Sequence, residues 1–65
     1  MEIFNREIKS GDFVKVRVGG NGHLSGGYLE GVVKDEEESH KMLRLESGWC
    51  VHAHDELLTH KPKSD

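Results

Sequence analysis

The single cysteine, Cys50, falls into alternate spacing with two histidines in the stretch Trp49-Cys50-Val51-His52-Ala53-His54. On an extended strand, alternate side chains point to one face, ~7 Å apart along the backbone. A thiolate and two imidazoles suit zinc, and Asp55, His40 or His60 could add a fourth ligand on folding. The plain alternative is a solvent-facing strand that carries polar residues. Zinc sites usually draw their ligands from two separate loops, which this chain lacks. The pattern requires no cofactor, and zinc is the one it could hold through Cys50, His52 and His54.

Two further groups could bind macromolecules. Lys15 and Arg17 alternate along one strand face, and Arg44 belongs to a later strand. Beside Tyr28 they could contact a nucleic-acid backbone and stack a base. Against this, the chain has 12 acidic and 9 basic residues and a formal charge of −3. The alternative for Lys15 and Arg17 is a solvated face that discourages edge pairing. Tyr28, His23 and the carboxylates Asp35, Glu36 and Glu37 form the other group, which would dock a basic protein surface. The Gly-rich stretch 19–27 could offer amides to an anion. It lacks the Lys-Ser/Thr ending of a phosphate loop, so it reads as a hairpin tip. Five histidines make a bound partner's affinity pH-sensitive if they lie near it. No nucleophile elbow or catalytic triad is present, and a 65-residue chain has little room to enclose a substrate. The chain reads as non-enzymatic.

The elements that must position these groups are strands. Val14, Val16 and Val18 alternate with Lys15 and Arg17, the clearest strand signal in the chain. Further strands are expected over 28–34, 41–46 and 49–54, with a short one from Thr59. Trp49, Val51 and Ala53 share one face and read as core. Asn21-Gly22 suits a type I′ hairpin turn. Gly31 marks a bulge or bend. Residues 35–39 read as an acidic loop, and Asp55-Glu56-Leu57-Leu58 as a single helical turn. Residues 1–9 fit a short strand or one helical turn. The fold class is all-β: a small five-stranded antiparallel barrel with one short helical turn before the last strand. One domain spans 1–65, with a barrel core over roughly residues 8–60.

This pattern resembles the Src-homology-3-like small-barrel superfamily, which includes KOW and Tudor-type modules. Ile8-Lys9-Ser10-Gly11-Asp12-Phe13-Val14-Lys15-Val16 resembles its first strand, and Leu29-Glu30-Gly31-Val32-Val33 its second. Gly48-Trp49-Cys50-Val51 through Asp55-Glu56-Leu57 resembles its last hairpin strand and closing helical turn. The stretches 13–18, 29–35 and 43–45 are also similar to the first motif of Sm-like RNA-binding rings. The first resemblance implies a binding module for a protein partner, with the Gly-rich loop bordering the groove. The second implies RNA binding by a ring of subunits.

No apolar run approaches the ~20 residues of a membrane span or the ~7–15 of a signal peptide. With one cysteine no internal disulfide forms, so a reducing, cytoplasmic setting is expected. A domain near 60 residues buries only about 60% of its unfolded surface, which makes self-association a plain way to gain stability.

Overall fold

The computed structural model describes residues 1–18 and 27–63. The chain begins with a hairpin in which β1 (Glu2–Ile3) pairs antiparallel with β2 (Arg6–Glu7). Phe4 and Asn5 between them have φ of 57° and 63°. Two successive left-handed residues are what a two-residue I′ turn demands, and Asn adopts that conformation readily. Phe4 does not. It is held there because its side chain packs against the core that also buries Met1 and Ile3. The turn expected at Asn21-Gly22 lies outside the described residues.

Val14 and Val16 of β3 (Phe13–Arg17) are fully buried, so Phe13, Lys15 and Arg17 line the opposite face. β4 (Tyr28–Glu37) serves two partners. Its first half runs antiparallel to β3, with Tyr28 opposite Arg17 and Val32 opposite Phe13. Its second half runs antiparallel to β5 (Met42–Leu45). β6 (Cys50–His52) pairs with β5, and β7 (Glu56–Lys61) returns to the free side of β3. The result is one five-stranded antiparallel sheet in the order β6-β5-β4-β3-β7. Its inward rows form the core: Val14, Val16, Val33, Leu43, Leu45 and Val51, joined by Met1, Ile3 and Ile8. The all-β expectation holds. Among the described strands, however, β6 and β7 remain separate edges, so the sheet is open rather than a closed barrel.

Several local expectations are corrected. The only helical turn among the described residues is Glu38–His40, between β4 and β5, not one before the last strand. Residues 55–58 are not helical. The Asp55 carboxylate accepts the His52 amide at 3.0 Å, and the Asp55 amide donates to the His52 carbonyl at 3.0 Å. That tight turn lets Glu56 enter β7 at once and brings Leu57 opposite the buried Val16. Residues 35–37 are strand rather than loop, because Glu36 and Glu37 pair with Leu43 and Met42. The register shift in β4 falls between Val33 and Asp35, whereas Gly31 pairs in register with Val14. Trp49 is 53% exposed and not core. It sits at the tip of the β5–β6 hairpin, just after Gly48 with φ of 101°, where strand alternation no longer governs side-chain direction.

Leu43→Ala should therefore cost about 2–5 kcal/mol by leaving a cavity. Trp49→Ala should cost under about 1 kcal/mol, in the range of surface substitutions. Urea unfolding of the two variants checks this, and equal losses would return the indole to the core.

Candidate functional site

Ser10-Gly11-Asp12 makes the turn that leads into β3. Gly11 has φ of 94°, a conformation open to glycine and strained for other residues. The turn closes on itself: the Asp12 amide donates to the Lys9 carbonyl at 3.0 Å, and the Lys9 amide donates back to Asp12 Oδ2 at 3.0 Å. It is tied to β4 as well, by Gly11 N–H to the Val33 carbonyl and Val33 N–H to the Asp12 carbonyl, both 2.8 Å.

The Asp12 side chain is buried, and it gathers distant chain around it. Its Oδ2 lies 2.8 Å from His60 Nε2, and its Oδ1 accepts the Lys63 amide at 3.0 Å. Burial pushes the Asp12 carboxyl up. The hydrogen bonds from His60, Lys63 and Lys9 outweigh that and hold it at about 2, against an ordinary 3.8. An ionised carboxylate only accepts, so His60 Nε2 carries the proton of this hydrogen bond. The other ring nitrogen, Nδ1, faces the Arg6 guanidinium at 3.4 Å.

Cations collect at the end of the sheet that holds this buried pair, where β3, β4 and β7 meet. Lys61 stands opposite Phe13 in the β3–β7 ladder, and its Nζ is 5.8 Å from the centre of the Phe13 ring. The stem of Lys63 lies across Gly11, so close that a Cβ there would be 2.4 Å from its Cδ. Lys34 directly follows Val33, which brackets Gly11 and Asp12. Lys9 and Arg6 complete the group. All five are exposed, and among the described residues none of them has a carboxylate within ion-pair distance.

The basic residues expected to bind nucleic acid behave differently. Lys15 meets Glu30 at 4.0 Å, Arg17 meets Glu56 at 3.7 Å, and Arg44 meets Asp35 at 3.1 Å. Exposed pairs of this kind add little stability, but each cancels a charge. Asp35 and Glu30 are also five residues apart on β4, ~16 Å of strand, so Arg44 does not join Lys15 and Arg17.

The expected protein-docking group is dispersed too. Tyr28 is 61% exposed, with Lys15 Nζ 5.4 Å from its ring centre. Asp35 lies seven residues further along the same strand, ~23 Å away at an extended rise. Glu36 is drawn to the amino group of Met1 at 2.8 Å and to the Ser10 amide at 3.2 Å. Glu7 and the Ile8 carbonyl are the other acceptors of that amine, whose affinity for its proton is raised by the hydrogen bonds to Glu36 and Glu7. Glu37 accepts from the Ser39 hydroxyl. His23 lies outside the described residues.

Among the described residues no three His, Cys, Asp or Glu side chains are gathered as a metal site. The His52 and His54 rings stack with 5.4 Å between centres and 7° between planes. Imidazole binds a metal in its ring plane, and nearly parallel planes do not meet at one ion. His60 is already committed to Asp12.

Sequence reasoning passed over Asp12 and the four lysines, and gave His60 only as a possible metal ligand, because the Asp12–His60 contact joins positions 48 apart. Compared with protein-family models, curated proteins and solved structures, the chain matches none.

The depressed Asp12 carboxyl sets a pH window. A carboxyl with a lower pKa folded than unfolded stabilises the fold above its unfolded value, and that contribution is lost as pH falls through its folded value. The stability difference between wild type and Asp12→Asn should be constant above about pH 5 and shrink between 3.8 and about 2. Urea titrations of both proteins at several pH values check it, and a gap that stays constant down to pH 2 would contradict it.

Proposed function

We propose that the chain is a non-enzymatic binding module whose basic end engages the phosphate backbone of a nucleic acid. One observation carries this reading: Lys61 stands over Phe13 and Lys63 over Gly11, beside the turn and strand that carry Lys9 and Lys34 and with Arg6 on His60, and among the described residues none of the five has a carboxylate within ion-pair distance. They do so on a chain whose net charge is −3. Elsewhere on the sheet surface, cations meet anions across neighbouring strands. Unpaired like charges held together repel one another, and a polyanion relieves that repulsion while releasing its own counterions. Phe13 adds a ring on which a base can stack.

Two wider points belong to the same reading. The open sheet is taken as the unrolled account of a small barrel of the Src-homology-3-like kind, with β4 bridging its halves. No described helix is long and apolar enough to cross a membrane, and the lone Cys50 is free, which fits a reducing cytoplasmic setting.

A second reading rests on the far end of the same face. Tyr28 is exposed beside Arg17 and Lys15, whose charges are cancelled by Glu56 and Glu30. A neutral surface with a Tyr and an Arg at its centre suits a protein partner.

Fluorescence anisotropy with a labelled 15-nucleotide single-stranded RNA, over a range of salt, tests the first reading. Engagement of four or five phosphates predicts a log–log slope of about −3. Lys61→Glu combined with Lys63→Glu should weaken binding at least about tenfold, whereas Tyr28→Ala should leave it within about twofold. Binding that is flat with salt, or indifferent to the Lys61 and Lys63 changes, removes the phosphate reading. Loss on Tyr28→Ala alone would move the site to the other end.

A further inference from the structure

We infer that Asp12, with His60, is the positioning element of the basic end: a buried anion that places the cations without itself meeting the ligand. This rests on the phosphate-binding reading above.

The connections are specific. One oxygen of Asp12 takes the Lys63 amide, and the other takes the Lys9 amide and His60 Nε2. The backbones of two of the five cationic residues are therefore fixed to a single carboxylate. A third, Arg6, is met by the far nitrogen of the same imidazole. Lys61 lies between His60 and Lys63 and is held from both sides. Only Lys34 is placed independently, by the β4 backbone. A carboxylate under a phosphate site is at first sight the wrong charge. Here it is buried and both of its oxygens accept hydrogen bonds from within the chain, so it is not exposed to a ligand. Its negative charge lowers the repulsion among the cations above it. Removing it takes the backbone anchor from Lys9 and Lys63, the partner from His60, and a counter-charge from the group.

His60 admits a conservative test. Glutamine carries an N–H at nearly the position of Nε2 and can still donate to Asp12, whereas leucine fills similar space and cannot. Binding of the labelled 15-nucleotide RNA is measured against salt for wild type, Asp12→Asn, His60→Leu and His60→Gln, with Leu57→Ala as a variant destabilised elsewhere. All are held well below their unfolding temperatures, with folding checked by circular dichroism. Asp12→Asn and His60→Leu should bind about tenfold more weakly, with the slope flattened by about 1 as one or two phosphate contacts are lost. His60→Gln and Leu57→Ala should keep the wild-type slope. Folded Asp12→Asn or His60→Leu with the wild-type slope overturns the positioning role. A flattened slope in Leu57→Ala overturns it as well, because general loosening would then explain the effect. If Asp12→Asn does not fold, the contrast between His60→Leu and His60→Gln decides. Absence of RNA binding by the wild type overturns the phosphate reading and this inference with it. Equal competition by poly-glutamate at matched charge overturns the nucleic-acid assignment while leaving the positioning of an anion site to the slope comparison.

Discussion

Much of this molecule depends on burying one carboxylate. Asp12 lies at the junction of the turn into β3, the last residues of β7 and the chain beyond it. Taking an ionised group out of water is costly unless it is hydrogen-bonded, and removing one partner of such a buried pair leaves the other uncompensated. Asp12 meets that requirement by drawing in two backbone amides and an imidazole. Lys9 belongs to the turn before β3, and His60 and Lys63 to the end of β7 and the chain beyond it, so satisfying the carboxylate also fixes the relative position of these two parts. The same atoms that solve a desolvation problem thereby determine where Lys9, Lys61 and Lys63 emerge.

The charge pattern divides into two regimes. Across the middle of the sheet, charges are cancelled locally: Lys15 by Glu30, Arg17 by Glu56, Arg44 by Asp35. Near the N-terminus the amine of Met1 is similarly neutralised by Glu7 and Glu36. Among the described residues, the cations near the Asp12–His60 pair have no carboxylate within ion-pair distance. Net charge therefore misleads here. An overall value of −3 says how the whole protein behaves in a field at long range, and says little about one surface at the scale of a few screening lengths.

The parts of the fold that were legible in the sequence are those with short-range causes. Alternation in 13–17 and 42–45 specifies strands because the side-chain period of a strand is two and one face is buried. Helical propensity for 55–58 was a weaker guide, since the Asp55 side chain serves equally well to close a tight turn, and Leu57 gains burial only in a strand. Trp49 shows the limit of alternation: the pattern ends where the ladder ends, and one residue beyond it the chain is turning at Gly48. Lys15 and Arg17 were placed on the correct face, but their carboxylate partners belong to neighbouring strands whose register no local pattern reveals. His60 looked like a spare metal ligand, and only the pairing of β7 with β3 shows it to be occupied.

β4 has a consequence for the order in which the molecule assembles. β5 and β6 follow it in sequence as a meander, which closes through short loops at little entropic cost. β7 must instead return to β3 across most of the chain, and long-range closures of this kind are the slow steps in folding. A one-residue slip in β4 would disturb both of its ladders together. The Asp12–His60 bond forms with that final closure. The basic end thus draws its cations from the first ten residues, β4 and the chain's last described residues, and it exists only where β7 is paired with β3.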